Sequence, residues 1–423
     1  MMTPGKSSKT PIVGNLTTLF MFQKRSIAIF LILFFIFNEV MVMYPITRTK
    51  FGYALWEINV KRIRYKAPKS KFISLFKLNQ TFTNKRKDLV LFYGEKMKDF
   101  VPQILPITDF LNDQSNHFHG NFVRAKNMYV SGGYIITDGI TIYQLRDCTG
   151  ADFMFQNNPG RVIGHYTDVL LVGHVATNIF AHFINELMNP TLLFPEEIRK
   201  KSHLVVKGPP NMWKDITSLF GFEGRTILLT NSDWIYCENL YTIIEPRPHG
   251  GFYGPALYHL HGLFREKFNL THIVPTKIGF LNRKGKLRII SNYDVLIEAA
   301  KKKYPKEIFF SIPDTLVAFE AAKTYASCRI LMTVTGSSCI NVIYMAEKTC
   351  IIKLTSPTVD MCNIIVPNSL NIYQVNLYYP TMSMYSPSVT ALDINESLKA
   401  LELAFYVTEH NKWPTIKEFK FIM

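Results

Sequence analysis

From residue 160 onward, short apolar runs alternate with helical patterns, and this alternation limits the fold more than any other feature of the chain. "DVLLVGH", "SHLVVKG", "RTILLT" and "NLYTIIEP" read as strands, while "AHFINEL" and "MWKDITSLFGF" between them read as helices. Such a rhythm calls for βαβ units and a parallel sheet. Upstream, "MYVSGGYIITDGITIYQL" (128–145) is a strand-turn-strand pattern around Gly132-Gly133 and Asp138-Gly139. A glycine- and proline-rich break at 245–258 ends this series and leads into the amphipathic "LYHLHGLFREKFNL". A second series follows, in which strands "KIGFL", "EIFFSI", "RILMTV" and "TCIIKL" are separated by helical stretches. The expectation is an α/β protein with two Rossmann-like lobes, 101–270 and 271–395, and a C-terminal helix within 396–423 that crosses back. Ligands of open parallel sheets bind beyond the carboxyl ends of the strands, so the cleft between lobes is the expected site.

Ahead of the lobes, residues 27–37 are apolar without interruption, and "NEVMVMY" extends the segment to residue 44. No small-x-small cleavage site follows, so 26–44 is expected to be an uncleaved transmembrane signal anchor with a short tail at 1–25. The formal charge of +16 is concentrated nearby. Residues 1–25 carry four of the cations, and 61–87 carry ten Lys or Arg with no acid. The body is therefore close to neutral, which speaks against a nucleic-acid partner. The basic stretch belongs to an expected stem, 45–100, able to touch anionic lipid. The six cysteines show neither CxxC nor zinc-like spacing, and Asn79, Asn269 and Asn395 stand in glycosylation sequons.

The segment "TVTGSSCINVIYM" carries the strongest chemical signal. A buried strand runs into Thr335-Gly336-Ser337-Ser338 and a helix begins at once, so free N–H groups meet at a small-residue turn suited to an anion. "GFLNRKGKLRIISN" places Arg283, Lys284, Lys286 and Arg288 past the end of the first strand of the same lobe. An arginine at a strand exit suits a diphosphate. No GxGxxG, P-loop, HExxH, GxSxG or DxD occurs, and His117 and His119 lack a third ligand, so no metal site is expected. In "AHFINEL", His182 and Glu186 lie one helical turn apart among apolar neighbours. A buried carboxylate needs a partner. The pair therefore either stabilises a core silently or faces a shared polar pocket.

These segments resemble the family 61 glycosyltransferases, which include plant xylosyl- and arabinosyltransferases and animal O-linked N-acetylglucosaminyltransferases of the secretory pathway. "NIFAHFINELMNPTLLFP" looks like the family's aromatic, His, aromatic, x, x, acid helix. "FLNRKGKLRIISNYDVL" looks like its Arg…Arg-x-x-x-Asn segment, and "TVTGSSCINVIYM", with Asn341, is similar to its His-Gly-Ala-Gly-Leu-Thr-Asn-x-x-x-Met turn. The resemblance spans about residues 125–360. It implies an inverting enzyme of GT-B type, single-pass type II in the Golgi or endoplasmic reticulum membrane, with an acceptor-side first lobe and a second lobe that binds a UDP-sugar. The acceptor would be a glycan or glycoprotein, and no cofactor beyond the donor is implied. Arg283 and the turn of Thr335, Gly336, Ser337, Ser338 and Asn341 would hold the diphosphate, and Arg288 and Asn292 would support that loop or the nucleotide. His182 and Glu186 are the candidates for the base that inversion requires. Thr335 stands where the family usually has histidine, and Ser337-Ser338 replace Ala-Gly, which leaves open a catalytically inactive glycan-binding protein of the same fold.

Overall fold

A computed structural model describes residues 65–66, 71–83, 87–138, 142–144, 161–207, 210–230, 233–246, 250–314 and 317–423. The expected tail, the anchor at 26–44, most of the basic stretch before residue 71, and Cys148 lie outside them. Among the described residues no helix is long and apolar enough to cross a membrane.

Two large sheets carry the molecule. In the first, His203–Val206 lies between Thr226–Leu228 and Arg161–Leu170, and Asp233–Glu245 follows, all parallel. The sheet continues antiparallel through His117–Ser131 and Ile136–Thr137 to Ile142–Gln144. The strand-turn-strand pattern is thus present, added to the edge of the expected parallel set. The second sheet runs in the order Ile308–Ile312, Lys277–Leu281, Cys328–Val334, Cys350–Thr355, Tyr373–Tyr378, Val90–Tyr93 and Lys420–Ile422, parallel except for the last strand. Its first five strands are doubly wound. The chain order reverses between Lys277–Leu281 and Cys328–Val334, and at such a switch point two loops diverge and leave a crevice.

Helices Tyr293–Lys303 and Ile394–His410 cover one face of this sheet, with Leu296, Ala300, Leu401 and Ala404 fully buried against its strands. Ala318–Ala326, the 3-10 helix Ser337–Tyr344 and Cys362–Ser369 cover the other face. There the apolar core continues into the first lobe through Phe183, Leu187 and the helix Pro255–Lys267. Arg265 of that helix donates to the Tyr344 carbonyl at 2.7 Å, and His261 bonds the Met345 carbonyl at 2.7 Å, tying the linking helix to the second lobe.

Two boundaries differ from expectation. Two segments placed in a stem are folded: Ile73–Thr81 pairs along His117–Ser131, and Val90–Tyr93 pairs with Tyr373–Tyr378. The run "VLFY" is short, but it is buried at every position, as an interior strand of a parallel sheet must be. Its basic neighbours hide it in the sequence. The helix Ile394–His410, expected to cross back, packs on the outer face of the second sheet instead. It starts at Asp393, whose carboxylate accepts the Glu396 N–H at 3.0 Å, and ends at left-handed Asn411. Its apolar stripe matches the sheet it lies on, and the chain then returns to pair Lys420–Ile422 with Val90–Tyr93.

Because Phe92 is fully buried between the strand's two neighbours, Phe92→Ala is expected to lower the unfolding free energy by about 3–5 kcal/mol. Denaturant unfolding checks this. A loss below about 1 kcal/mol, as for a surface substitution, would return these residues to a stem.

Candidate active site

The first half of the site is built where the strand Arg161–Leu170 gives way to a loop and then to the helix holding "AHFINEL". That helix is irregular. Phe180–His182 is α-helical, Phe183–Met188 is a π-turn, and Asn189–Leu192 resumes the α-helix. Pro190 has no N–H to give to the Glu186 carbonyl, and the helix widens just before it. Gly173, at φ +90°, lets the preceding loop press onto this turn: a Cβ there would sit 2.8 Å from Thr177 Cγ2 and 3.2 Å from the Glu186 carbonyl oxygen. The close approach brings in His174, a residue the sequence reading passed over.

Glu186 is 1% exposed, and its carboxylate has three partners. Oε2 lies 2.5 Å from His174 Nε2 and 2.5 Å from His182 Nδ1, while Oε1 accepts the Gly250 N–H at 2.8 Å. Burial alone would raise its pKa. The hydrogen bonds and charge of the two histidines outweigh burial and hold it near 2. For His182, burial works against the charged ring, but the hydrogen bond and charge of Glu186, with Asp360 beyond, raise its pKa above the ordinary histidine value. His174 is as deeply buried as Glu186, whereas the His182 side chain keeps 23% exposure. The two partners therefore differ: Glu186 is a core residue, and His182 keeps part of its ring at the surface.

The three side chains present ligand atoms within 4.8 Å of one another, close enough to suggest a cation site. The hydrogen-bond pattern disfavours it. A metal-bound histidine donates its other ring N–H to an acceptor, yet His174 Nδ1 faces a donor, the Ala176 N–H, at 3.3 Å. With Nδ1 accepting, Nε2 carries the proton and is a donor to Glu186 rather than a ligand.

The second half forms at the switch point of the second sheet. Leu281 pairs with Thr333, so the loop after residue 281 and the turn after Val334 leave side by side. Arg283 and Arg288 converge on Gly336, where a Cβ would lie 2.9 Å from Arg288 Nη1 and 3.1 Å from Arg283 Nη1. Gly336 has φ +132°, so a side chain is disfavoured on both counts. Arg283 Nη1, Arg288 Nε and Thr335 Oγ1 are buried with no hydrogen-bond partner among the described residues. Burial first, and then the Arg283 charge, lower the Arg288 pKa. Two guanidiniums placed together with spare donors form an anion receptor.

Other expected site residues divide by what they touch. Arg283, Ser337, Ser338 and Asn341 line a cavity of about 410 Å³ together with Tyr325 and Asp314 of the second lobe and Phe180 and Asp215 of the first. The cavity therefore lies between the lobes, and Phe180 begins the helix that carries His182. Within it, the Ser338 hydroxyl donates to the Val334 carbonyl at 3.1 Å and Asn341 donates to the Ser338 carbonyl at 3.0 Å, shaping the turn. Asn292 is elsewhere: it bonds Leu392 through both its amide oxygen and nitrogen, at 2.7 and 2.9 Å. That clamp holds the short strand Ile289–Ile290 against Val389–Thr390 and so supports Arg288 from behind. Asn282, also unread in the sequence, bonds Arg283 N, Ile290 N and the Ile290 carbonyl, closing the arginine loop at its base. His117 and His119 sit on exposed strand surface, His119 beside Glu245 at 3.3 Å.

Residues 180–352 match the family model described as Glycosyltransferase 61. This segment is thus similar to the family 61 glycosyltransferases, and His182, Glu186, both arginines and the Gly336 turn lie inside it. His174 and Asp360 fall outside it. No curated protein matches the chain.

The depressed Glu186 pKa gives stability that is present above the ordinary carboxylate value of 4.5 and is lost as pH falls toward 2. Urea unfolding of wild type is expected to weaken through that window, while Glu186→Gln is less stable at neutral pH and flatter below it. Glu186→Ala is expected to lose about 3–5 kcal/mol and His182→Ala only about 1 kcal/mol. Equal losses for these two variants would contradict the division of the pair.

Proposed function

We propose that this glycosyltransferase moves a sugar, of the xylose or N-acetylglucosamine class, from a UDP-sugar to a hydroxyl of a glycan or glycoprotein with inversion at the anomeric carbon. The observation that carries the reading is one juxtaposition: Arg283 and the turn after Gly336 share an interlobe cavity with Phe180, which opens the helix holding His182 on its buried carboxylate. Inversion in one step needs a base for the acceptor proton and positive or dipolar groups for the departing diphosphate. The His182–Glu186 pair supplies the first, and Arg283, Arg288 and the N–H groups opening Ser337–Tyr344 supply the second. Since cations already stand where the leaving group would form, no metal is required of the protein. The proposed architecture is of GT-B type, a reading supported by the two largely parallel sheets and the cavity between them.

The proposed setting is a single-pass type II protein of the Golgi or endoplasmic reticulum membrane, anchored through 26–44 with the body luminal. The apolar segment and the sequons support it, and Asn79, Asn269 and Asn395 are all exposed. Thr335, standing where the resemblance implies histidine, favours a second reading, a glycan-binding protein without turnover.

Calorimetry and turnover against a panel of nucleotides and nucleotide sugars separate the two. UDP binding with transfer to an acceptor supports the enzyme; glycan binding without nucleotide supports the second reading. Arg283→Ala is expected to weaken UDP binding by about 1.5–3 kcal/mol with the fold retained, and unaltered affinity would remove Arg283 from the site. Chelators are expected to leave turnover largely intact. Loss of activity in EDTA restored by manganese would contradict the arginine-based scheme.

A further inference from the structure

The contacts around Glu186 assign a direction to each proton. His174 Nδ1 accepts from the Ala176 N–H at 3.3 Å, so the proton of the neutral ring is on Nε2, which donates to Glu186 Oε2. The ring has little freedom to do otherwise. Its backbone is fixed by a turn in which Thr177 N and Thr177 Oγ1 both donate to the His174 carbonyl, at 3.0 and 2.9 Å. Thr177 Oγ1 also bonds Tyr134 OH at 2.8 Å. Glu186 Oε2 takes its second proton from His182 Nδ1. A neutral imidazole that donates through Nδ1 has its basic lone pair on Nε2. Glu186 itself is a poor base: it is buried, it faces three donors, and neither oxygen is left for an acceptor hydroxyl.

We propose that His182 Nε2 takes the acceptor proton, and that His174 is a positioning residue that holds Glu186 as the ionised anchor of His182 Nδ1. This rests on reading the cleft as a transferase site, and it adds a residue that lies outside the matched segment 180–352. In the step, the acceptor oxygen bonds to the anomeric carbon while its proton passes to His182 Nε2. The bond from that carbon to the diphosphate oxygen breaks, and its electron pair leaves on the diphosphate, beside Arg283 and Arg288. The imidazolium then returns its proton to water.

His174 shares the charge of Glu186 and so moderates the basicity of His182. The titratable groups around the pair, among the described residues, are His174 on the strand-exit loop, Tyr253 on the linker before Pro255–Lys267, and Asp360 and Cys362 of the second lobe. Of these, His174 alone bonds the same carboxylate oxygen as His182. Removing it gives the whole charge of that oxygen to His182.

The test is a titration of full-length protein with isotope-labelled histidine, read by NMR beside the pH profile of kcat/KM. In wild type, the neutral His174 ring is expected to carry its proton on Nε2, with the acid limb of kcat/KM following the His182 midpoint. In His174→Leu the His182 midpoint and the acid limb are expected to rise together by about one unit. In His174→Gln, whose amide keeps a donor toward Glu186, both should return toward wild type. His182→Ala should reduce kcat by about 100-fold or more with UDP affinity unchanged. An Nδ1–H tautomer of His174, or a His182 midpoint indifferent to both substitutions, overturns the positioning role. An acid limb that ignores a shifted His182 overturns its role as base. If His174→Leu does not fold, the wild-type tautomer and the Gln variant decide. Absence of turnover with every nucleotide sugar would defeat the transferase reading alone, because the NMR titration needs no substrate.

Discussion

A single buried negative charge organises the first half of this molecule. The Glu186 carboxylate has lost nearly all contact with water, and an ion in that position is tolerated only when each oxygen is met by a donor. Its three donors come from three segments: the strand-exit loop, its own helix and the linker that crosses toward the second lobe. Satisfying one charge therefore fixes the mutual placement of all three. Gly173 lets the loop come near enough, and Pro190 coincides with the wider helical turn that presents the carboxylate. Electrostatics here decides local backbone shape, in a region whose apolar residues would be equally content in an ordinary helix.

The second half depends on the opposite imbalance. Arg283 and Arg288 approach the same glycine and repel each other, and no carboxylate bonds either one among the described residues. The partner of Arg288 Nη1 is the thioether of Met384 at 2.5 Å, and a sulfur of that kind is a weak acceptor. What holds the two cations together is backbone: Asn282 closes the loop, Asn292 clamps the strand behind it, and Arg288 itself adopts a left-handed conformation with φ +58°. Strain and repulsion of this sort persist when the surrounding structure over-determines them, and they mark places where a ligand relieves the conflict. In the proposed function, a diphosphate would bring the missing charge and fill the orphaned donors at once.

Much of this was legible in the sequence because period and burial go together. Buried parallel strands show as continuous apolar runs, so four of the seven strands of the second sheet could be read, and a strand that ends in Thr-Gly-Ser-Ser announces its turn. Spacing also brought His182 and Glu186 together, since four residues separate neighbours on a helix. What escaped were relations between distant residues. Val90–Tyr93 is a normal interior strand hidden by basic flanks, and nothing local says that it pairs with Tyr373–Tyr378. His174 belongs to "DVLLVGH", where it looks like the polar end of a strand. Its role comes from a glycine-permitted approach to a helix twelve residues away, which no periodicity encodes. Asn292 takes the first of the two roles its segment implied, support of the arginine loop, since both ends of its amide are spent on backbone.

The substitution that most troubles a catalytic reading is Thr335, and the division of labour across the cleft bears on it. Chemistry of this kind separates charge, because a proton moves to one wall while negative charge collects at the other. In the proposed reaction the proton is received at His182, and the residue at position 335 would need only to stabilise an anion. Its side chain is 3% exposed, and its hydroxyl has no partner among the described residues. It stands next to the glycine on which both arginines converge. A buried hydroxyl without a partner costs free energy until something accepts its proton, and a phosphate oxygen is the natural acceptor at such a turn. A histidine there would add a third positive or titratable group to two arginines already in conflict. Threonine supplies a donor without that charge, so in the proposed reaction the departure would weigh on the strength of anion binding and leave proton transfer to the other wall.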